Sequence, residues 1–244
     1  MTKTQLFGIP FDDVGLEEAI SAALALIGRK QTACVVTPNP EIVMAARRDP
    51  ALKEALLAAD LILPDGVGLV YASRLLKTPL RHRLPGVDFA SALLEKLAAR
   101  QGSVFLLGAK PGVADMAAEE LRRQFPGLCV AGTHHGYYSP DEEAALLEEI
   151  RQRRPQVLFV CLGSPRQELW MKKHRAELNG VLMVGLGGAL DVFSGKLRRA
   201  PALWRRLGLE WLFRLLQEPK RISRVIRLPA FLWAAKKEKG RNQA

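Results

Sequence analysis

Short β-branched apolar runs alternate with stretches of helical periodicity along the first 195 residues of the chain. The runs Thr32–Val36, Leu61–Leu63, Val104–Leu107, Leu128–Ala131, Val157–Cys161 and Val181–Val184 predict strands. Between them Leu16–Ile27, Asp49–Ala59, Val87–Ala99, Val113–Gln124 and Asp141–Arg151 space their apolar residues three and four apart and predict helices. Ser139-Pro140-Asp141-Glu142 marks one helix start, with a cap residue, a proline at the first position and acids in the first turn. Such alternation predicts an α/β fold, a Rossmann-like parallel sheet flanked by helices on both faces, over residues 1–195. From Ala200 the strand signals stop and the pattern turns helical. Pro219 and Pro229 are expected to divide this tail into about three short helices, and Lys236–Ala244 reads as a frayed polar end.

Charge divides the chain at the same place. Residues 196–244 hold 14 Lys/Arg against 3 Asp/Glu, whereas the other 195 residues hold 22 of each sign, so the net charge of +11 lies in the tail. The tail also carries Trp204, Trp211 and Trp233, three of the four tryptophans, with Phe213 and Phe231. A neutral body with a cationic tail points to an anionic partner, either nucleic acid or an anionic membrane surface. Trp and Leu interleaved with Arg fit a helix lying among lipid headgroups better than a phosphate-reading arm. The expected organisation is therefore a catalytic domain at 1–195 and, at 196–244, a helical basic appendage that binds membrane and completes the active site.

With 48% apolar and 25% charged residues, the composition excludes a largely disordered chain. No apolar run approaches the ~20 residues that span a bilayer. Asp12, Asp13, Glu17 and Glu18 interrupt any leader-like pattern, so the body is expected in the cytoplasm. Cys34, Cys129 and Cys161 are odd in number and sit in apolar runs, which predicts buried, reduced strand residues.

Candidate chemistry gathers where the strands end, since ligands of open α/β sheets bind beyond the carboxyl edge. The runs are followed by Thr37-Pro38-Asn39-Pro40-Glu41, Pro64-Asp65-Gly66-Val67-Gly68, Gly108-Ala109-Lys110-Pro111-Gly112, Leu162-Gly163-Ser164-Pro165-Arg166-Gln167 and Gly185-Leu186-Gly187-Gly188 with Asp191. Small residues at helix starts expose backbone N–H groups suited to a diphosphate, although a glycine after a strand also serves simply as a tight turn. Asp65 projects from such a turn as a candidate general base, and would equally cap a helix starting near Gly66. Thr37 and Asn39 suit sugar hydroxyls, and Asn39 equally suits a turn before Pro40. Arg83 would clamp a phosphate or stand as a solvated loop charge. Gln167 would orient a substrate hydroxyl or sit in the first turn of a helix. Adjacent His134 and His135 diverge and lack a third ligand at a usable spacing, so no metal site is expected. Tyr137 offers a flat surface to a base or sugar.

Taken together, these segments resemble the WecG/TagA/CpsF glycosyltransferase family. The resemblance rests on Thr37-Pro-Asn-Pro-Glu-Ile-Val, Ala59-Asp-Leu-Ile-Leu-Pro-Asp65-Gly-Val-Gly, Arg83-Leu-Pro-Gly-Val-Asp88 and Leu106-Leu-Gly-Ala. It continues through Gly132-Thr-His-His-Gly-Tyr137, Leu162-Gly-Ser-Pro-Arg-Gln167-Glu, Val184-Gly-Leu-Gly-Gly-Ala-Leu-Asp191-Val-Phe-Ser-Gly, Arg199-Ala-Pro201 and Gly208-Leu-Glu-Trp211-Leu-Phe-Arg214. It is nearest to the TagA branch, which implies inverting transfer of N-acetylmannosamine from UDP to the C4 hydroxyl of undecaprenyl-diphosphate-linked GlcNAc, in building the teichoic acid linkage unit.

The resemblance implies Asp65 as base, Thr37, Asn39 and Gln167 on sugar hydroxyls, and Arg83 on diphosphate charge. Gly108, Tyr137, Gly163, Gly187, Gly188 and Asp191 are implied at the UDP-sugar. No metal or other cofactor is implied, in keeping with a chain that has no Asp-x-Asp pair. The acceptor's lipid implies work at the inner face of the cell membrane, with Arg214, Arg221 and Arg224 meeting headgroups or the acceptor diphosphate. A homo-oligomer would shield the apolar tail away from membrane, and no nucleic-acid partner is expected. Related donors (the uronic acid of N-acetylmannosamine, glucose or glucuronic acid), serving an exopolysaccharide or an enterobacterial-type antigen, remain alternatives. A nucleotide-dependent oxidoreductase would need a complete glycine fingerprint after the first strand, which is missing. A nucleic-acid-binding protein is the remaining reading of the tail.

Overall fold

The computed structural model describes residues 2–201, 203–204, 209–217 and 227–241. Six parallel strands form the sheet: β3 (Ala33–Val36), β4 (Leu61–Ile62), β5 (Ser103–Gly108), β6 (Cys129–His134), β7 (Val157–Cys161) and β8 (Leu182–Gly185), in the order β4-β3-β8-β7-β5-β6. Each predicted strand is present within a few residues of its expected limits. Alternate residues of each strand feed two cores, as the period of two requires. Val35, Leu106, Phe159 and Val184 face α1 (Leu16–Leu26), α5 (Gly86–Ala98), α6 (Val113–Gln124) and α9 (Ala189–Phe193). Cys34, Val36, Leu107, Val160 and Met183 face α2 (Pro40–Ala46), α3 (Pro50–Leu57), α4 (Val67–Leu75), α7 (Pro140–Arg153) and α8 (Arg166–His174). The neighbouring strands β3, β8, β7 and β5 are thus followed by helices on alternate faces, α2, α9, α8 and α6. That reversal spreads the loops and opens a crevice along the carboxyl edge.

A two-stranded hairpin, β1 (Lys3–Leu6) and β2 (Ile9–Asp12), precedes the sheet and was not expected. Its two-residue turn is Phe7 (φ +54°) and Gly8 (φ +74°), and both positive angles suit a type I′ connection. The Phe7 ring packs on Phe231 with centroids 5.2 Å apart, under the Arg47 guanidinium. Tertiary packing therefore holds a large side chain where the usual turn residues are Asn or Gly.

The tail returns to this hairpin. Helices α10 (Glu210–Gln217) and α11 (Arg227–Arg241) are described, and α11 lies against α4 and α2 with Phe231 and Ala235 fully buried. Pro229 falls in the first turn of α11, where its missing N–H is not needed. Lys236–Arg241 continue that helix where a frayed end was expected. Pro219, Arg221 and Arg224 lie outside the described residues, and Arg214 is on α10. Gln217 fixes α10 by bracketing the Arg198 backbone, accepting from its N–H at 3.1 Å and donating to its carbonyl at 2.9 Å. Of the cysteines, Cys34 and Cys161 are buried thiols as expected, but Cys129 is exposed because it opens β6, the edge strand.

Gly68 sets how closely α11 approaches. A β-carbon there would stand 2.7 Å from both the Leu228 side chain and the Pro40 ring. Gly68→Val is expected to lower stability by about 1–3 kcal/mol through overpacking. It should also make the chain after Gln217 more sensitive to limited proteolysis. An unchanged melting temperature and digestion pattern would show that α11 adjusts freely.

Candidate active site

Two loops meet at the ends of β3 and β4. The Asp65 N–H donates to the Pro38 carbonyl at 3.2 Å, and Leu84 N–H donates to the Pro64 carbonyl at 2.9 Å. The second bond brings in the Arg81-His82-Arg83 segment. Arg81 anchors that segment through Asp13, its Nε standing 2.8 Å from Oδ2. Burial works to raise the Asp13 pKa, but the Arg81 hydrogen bonds and charge hold the carboxyl below its usual range. With Arg81 committed to Asp13, Arg83 is the cation this loop presents to the site.

Asp65 does not cap α4. The cap position is Gly66 (φ +100°), which has no side chain to supply a capping bond. The Asp65 carboxylate instead turns towards the first turn of α5, accepting from the Gly86 N–H at 3.5 Å. Asn39 caps α2, its Oδ1 accepting from Ile42 N–H at 3.0 Å with Pro40 at the first helical position. Asn39, Asp65 and Arg83 line one cavity of about 690 Å³, whose far wall includes Glu210 and Trp211 of α10 and Leu228 of α11. The volume is in the range of small-molecule sites, about 300–1,000 Å³.

Thr37 and Gln167 lie beneath that cavity and do not line it. The buried Thr37 hydroxyl donates to the Gly185 carbonyl at 3.0 Å, and the buried Gln167 carboxamide accepts from the Gly187 N–H at 2.9 Å. Both therefore hold the loop after β8, which contributes Leu186 and Ala189 to the cavity wall. Gly86 packs over Thr37, where a β-carbon would come within 3.0 Å of the hydroxyl.

The remaining candidates spread along the other half of the edge. Gly108 (φ +134°) ends β5 where any β-carbon would overlap the Cys161 backbone of β7. Gly163 (φ +77°) and Gly187 (φ +55°) form open turns after β7 and β8, and Gly188 and Asp191 begin α9. Tyr137 follows β6 and is 66% exposed, its N–H held by His135 Nδ1 at 3.3 Å. Arg166 was not singled out from the sequence. Its Nη1 donates to the Gly136 carbonyl at 2.5 Å and its guanidinium lies 4.8 Å over the Tyr138 ring, so it secures the turn that presents Tyr137. The Arg199–Asp88 ion pair was also missed, and it ties the start of the tail to the first turn of α5. Both arginines fall within the motif segments, but their partners lie 30 and 111 residues away. Among the described residues no group of three His, Cys, Asp or Glu stands close enough to hold a metal ion.

A parallel sheet with a cavity at its carboxyl edge, where the order of helix faces reverses, is the architecture of an α/β enzyme. The model of the glycosyl transferase WecG/TagA/CpsF family matches residues 4–244, and the chain belongs to that family of glycosyltransferases. It is 39% identical over 211 residues to the N-acetylglucosaminyldiphosphoundecaprenol N-acetyl-beta-D-mannosaminyltransferase of Bacillus spizizenii strain W23, covering 86% of this chain and 81% of the relative. The protein of the same name from Staphylococcus aureus strain MW2 is 35% identical over 239 residues, 97% of this chain and 93% of the relative.

Proposed function

We propose that this glycosyltransferase moves N-acetylmannosamine from UDP-N-acetylmannosamine to the C4 hydroxyl of GlcNAc on undecaprenyl diphosphate, inverting the anomeric centre without a metal. The reading is supported above all by Asp65, Arg83 and Asn39 sharing one cavity in a chain so similar to enzymes named for that acceptor. The Asp65 carboxylate takes the proton of the acceptor hydroxyl as its oxygen attacks the anomeric carbon. UDP leaves from the opposite side of the sugar. Backbone N–H groups of the Gly163 turn and of Gly188, with the Arg83 charge, stabilise the leaving diphosphate, the work a divalent ion performs in other transferases. Tyr137 carries the base, Asp191 the ribose hydroxyls, and Asn39 a sugar hydroxyl. Thr37 and Gln167 act on the sugar from below, through the loop after β8. The product is the linkage unit of wall teichoic acid.

The enzyme acts as a peripheral protein on the inner face of the cell membrane. Trp211, Leu216 and the 67%-exposed Trp233 are large apolar groups left facing solvent on the basic tail, which supports docking onto lipid. No helix among the described residues is long and apolar enough to cross a membrane. Residues 1–195 form the catalytic domain and 196–244 the appendage, and self-association covers the tail when lipid is absent.

The test is a donor screen with purified enzyme, a short-chain prenyl-diphosphate-GlcNAc acceptor and mass analysis of products. UDP-N-acetylmannosamine is expected to give the addition of one N-acetylhexosamine, with turnover unchanged by EDTA. Preferential use of a UDP-uronic acid or UDP-glucose would reassign the donor. A loss in EDTA that Mg²⁺ or Mn²⁺ restores would overturn the metal-free mechanism.

A further inference from the structure

Glu168 follows Gln167 on α8 and is only 2% exposed. Burying a carboxylate this deeply is costly unless a cation pairs with it. The two cations that share its small void are engaged elsewhere: Lys172 Nζ is 2.8 Å from Glu54 on α3, and Arg175 grips Asp60 at 2.8 and 3.1 Å. Glu168 Oε1 accepts from Gln167 Nε2 at 2.8 Å, while Oε2 is buried without a hydrogen-bond partner. Burial pushes the carboxyl above its usual range, against hydrogen bonds from Gln167 and Ser164. Ionised, or protonated on Oε2, the group keeps Oε1 as an acceptor towards Gln167.

This arrangement settles which way Gln167 points. A carboxamide fits its pocket equally well flipped, and only its partners distinguish oxygen from nitrogen. Oε1 of Glu168 accepts only, so it selects the NH₂ end and leaves the Gln167 oxygen for the Gly187 N–H, 2.9 Å away. Gly187 and Gly188 have no side chains to brace their turn from above. We propose that Glu168 is a positioning residue, which holds the Gln167 carboxamide in one orientation and through it the Gly187 turn that receives the donor's diphosphate. The inference rests on the proposed donor site.

Glu168→Gln and Glu168→Leu test it. The Gln variant keeps a carbonyl acceptor towards Gln167 and puts an NH₂ where the other oxygen stood. It should bind UDP and use the donor as the parent does at neutral pH. The Leu variant removes the acceptor without leaving a charge, so its melting temperature should hold while the donor KM and the UDP Kd rise about tenfold. The acceptor KM should not move. Parent-like donor KM in the Leu variant, or a donor KM raised as far in the Gln variant as in the Leu variant, overturns the proposal. A parent enzyme that binds no UDP overturns instead the donor site beneath it.

Discussion

Asp65→Ala is expected to fold as the parent does and to lose a factor of ~10² or more in kcat. Folding should survive because the residue lines the cavity, α4 takes Gly66 as its cap, and Ala keeps the backbone bond from residue 65 to the Pro38 carbonyl. Asp65→Asn sharpens the test. The amide keeps the shape and can still accept from Gly86, yet it cannot take a proton from the acceptor hydroxyl. Both variants should therefore lose comparable activity if proton transfer is the function. If Asp65 only positions the acceptor, Asn should recover much of what Ala loses and the change should appear in the acceptor KM. Steady-state turnover on the prenyl-diphosphate acceptor, read beside the melting temperature, separates the two. A near-normal kcat in either variant would remove Asp65 from the role of base.

The parallel sheet was legible in the sequence because its strands are continuous apolar runs, as burial on both faces requires. What escaped was short. The β1–β2 hairpin turns on Phe7-Gly8, held by Phe231 more than 220 residues away, and no local pattern announces such a partner. Asn39-Pro40-Glu41 at the start of α2 repeats the cap, proline and acid of Ser139-Pro140-Asp141, but the same residues equally suit a turn. At the site, position along the chain identified which segments reach the carboxyl edge and not which side chains face the cavity. Thr37 and Gln167 have polar ends that suit a sugar, yet both are engaged by backbone of the loop after β8, at separations of 148 and 20 residues. Asp65 differs because its competing role as a cap is taken by Gly66. Geometry thus separates the candidates by place: Asp65 lines the cavity, whereas Thr37 and Gln167 lie outside its wall and hold another loop.

Replacing Arg214, Arg221 and Arg224 together by Glu is expected to abolish most turnover on vesicle-borne acceptor. Each basic residue near an anionic leaflet contributes about 1 kcal/mol, so losing three attractions weakens membrane partitioning on the order of 10²-fold, and the new acids add repulsion. The body should be spared, because the variant keeps the ties to the tail seen among the described residues: Phe231 against Phe7, Gln217 around Arg198, and Arg199 on Asp88. Co-sedimentation with vesicles of anionic lipid should fall in parallel with activity. A short-chain acceptor free in solution then divides the two roles given to these arginines. If they only meet headgroups, the variant should work on the soluble acceptor nearly as well as the parent. If they also reach the acceptor diphosphate beside Arg83, that activity should fall too. Turnover unimpaired on vesicles would remove the basic tail from the mechanism, and tight, salt-sensitive RNA binding by a parent that ignores vesicles would return it to nucleic acid.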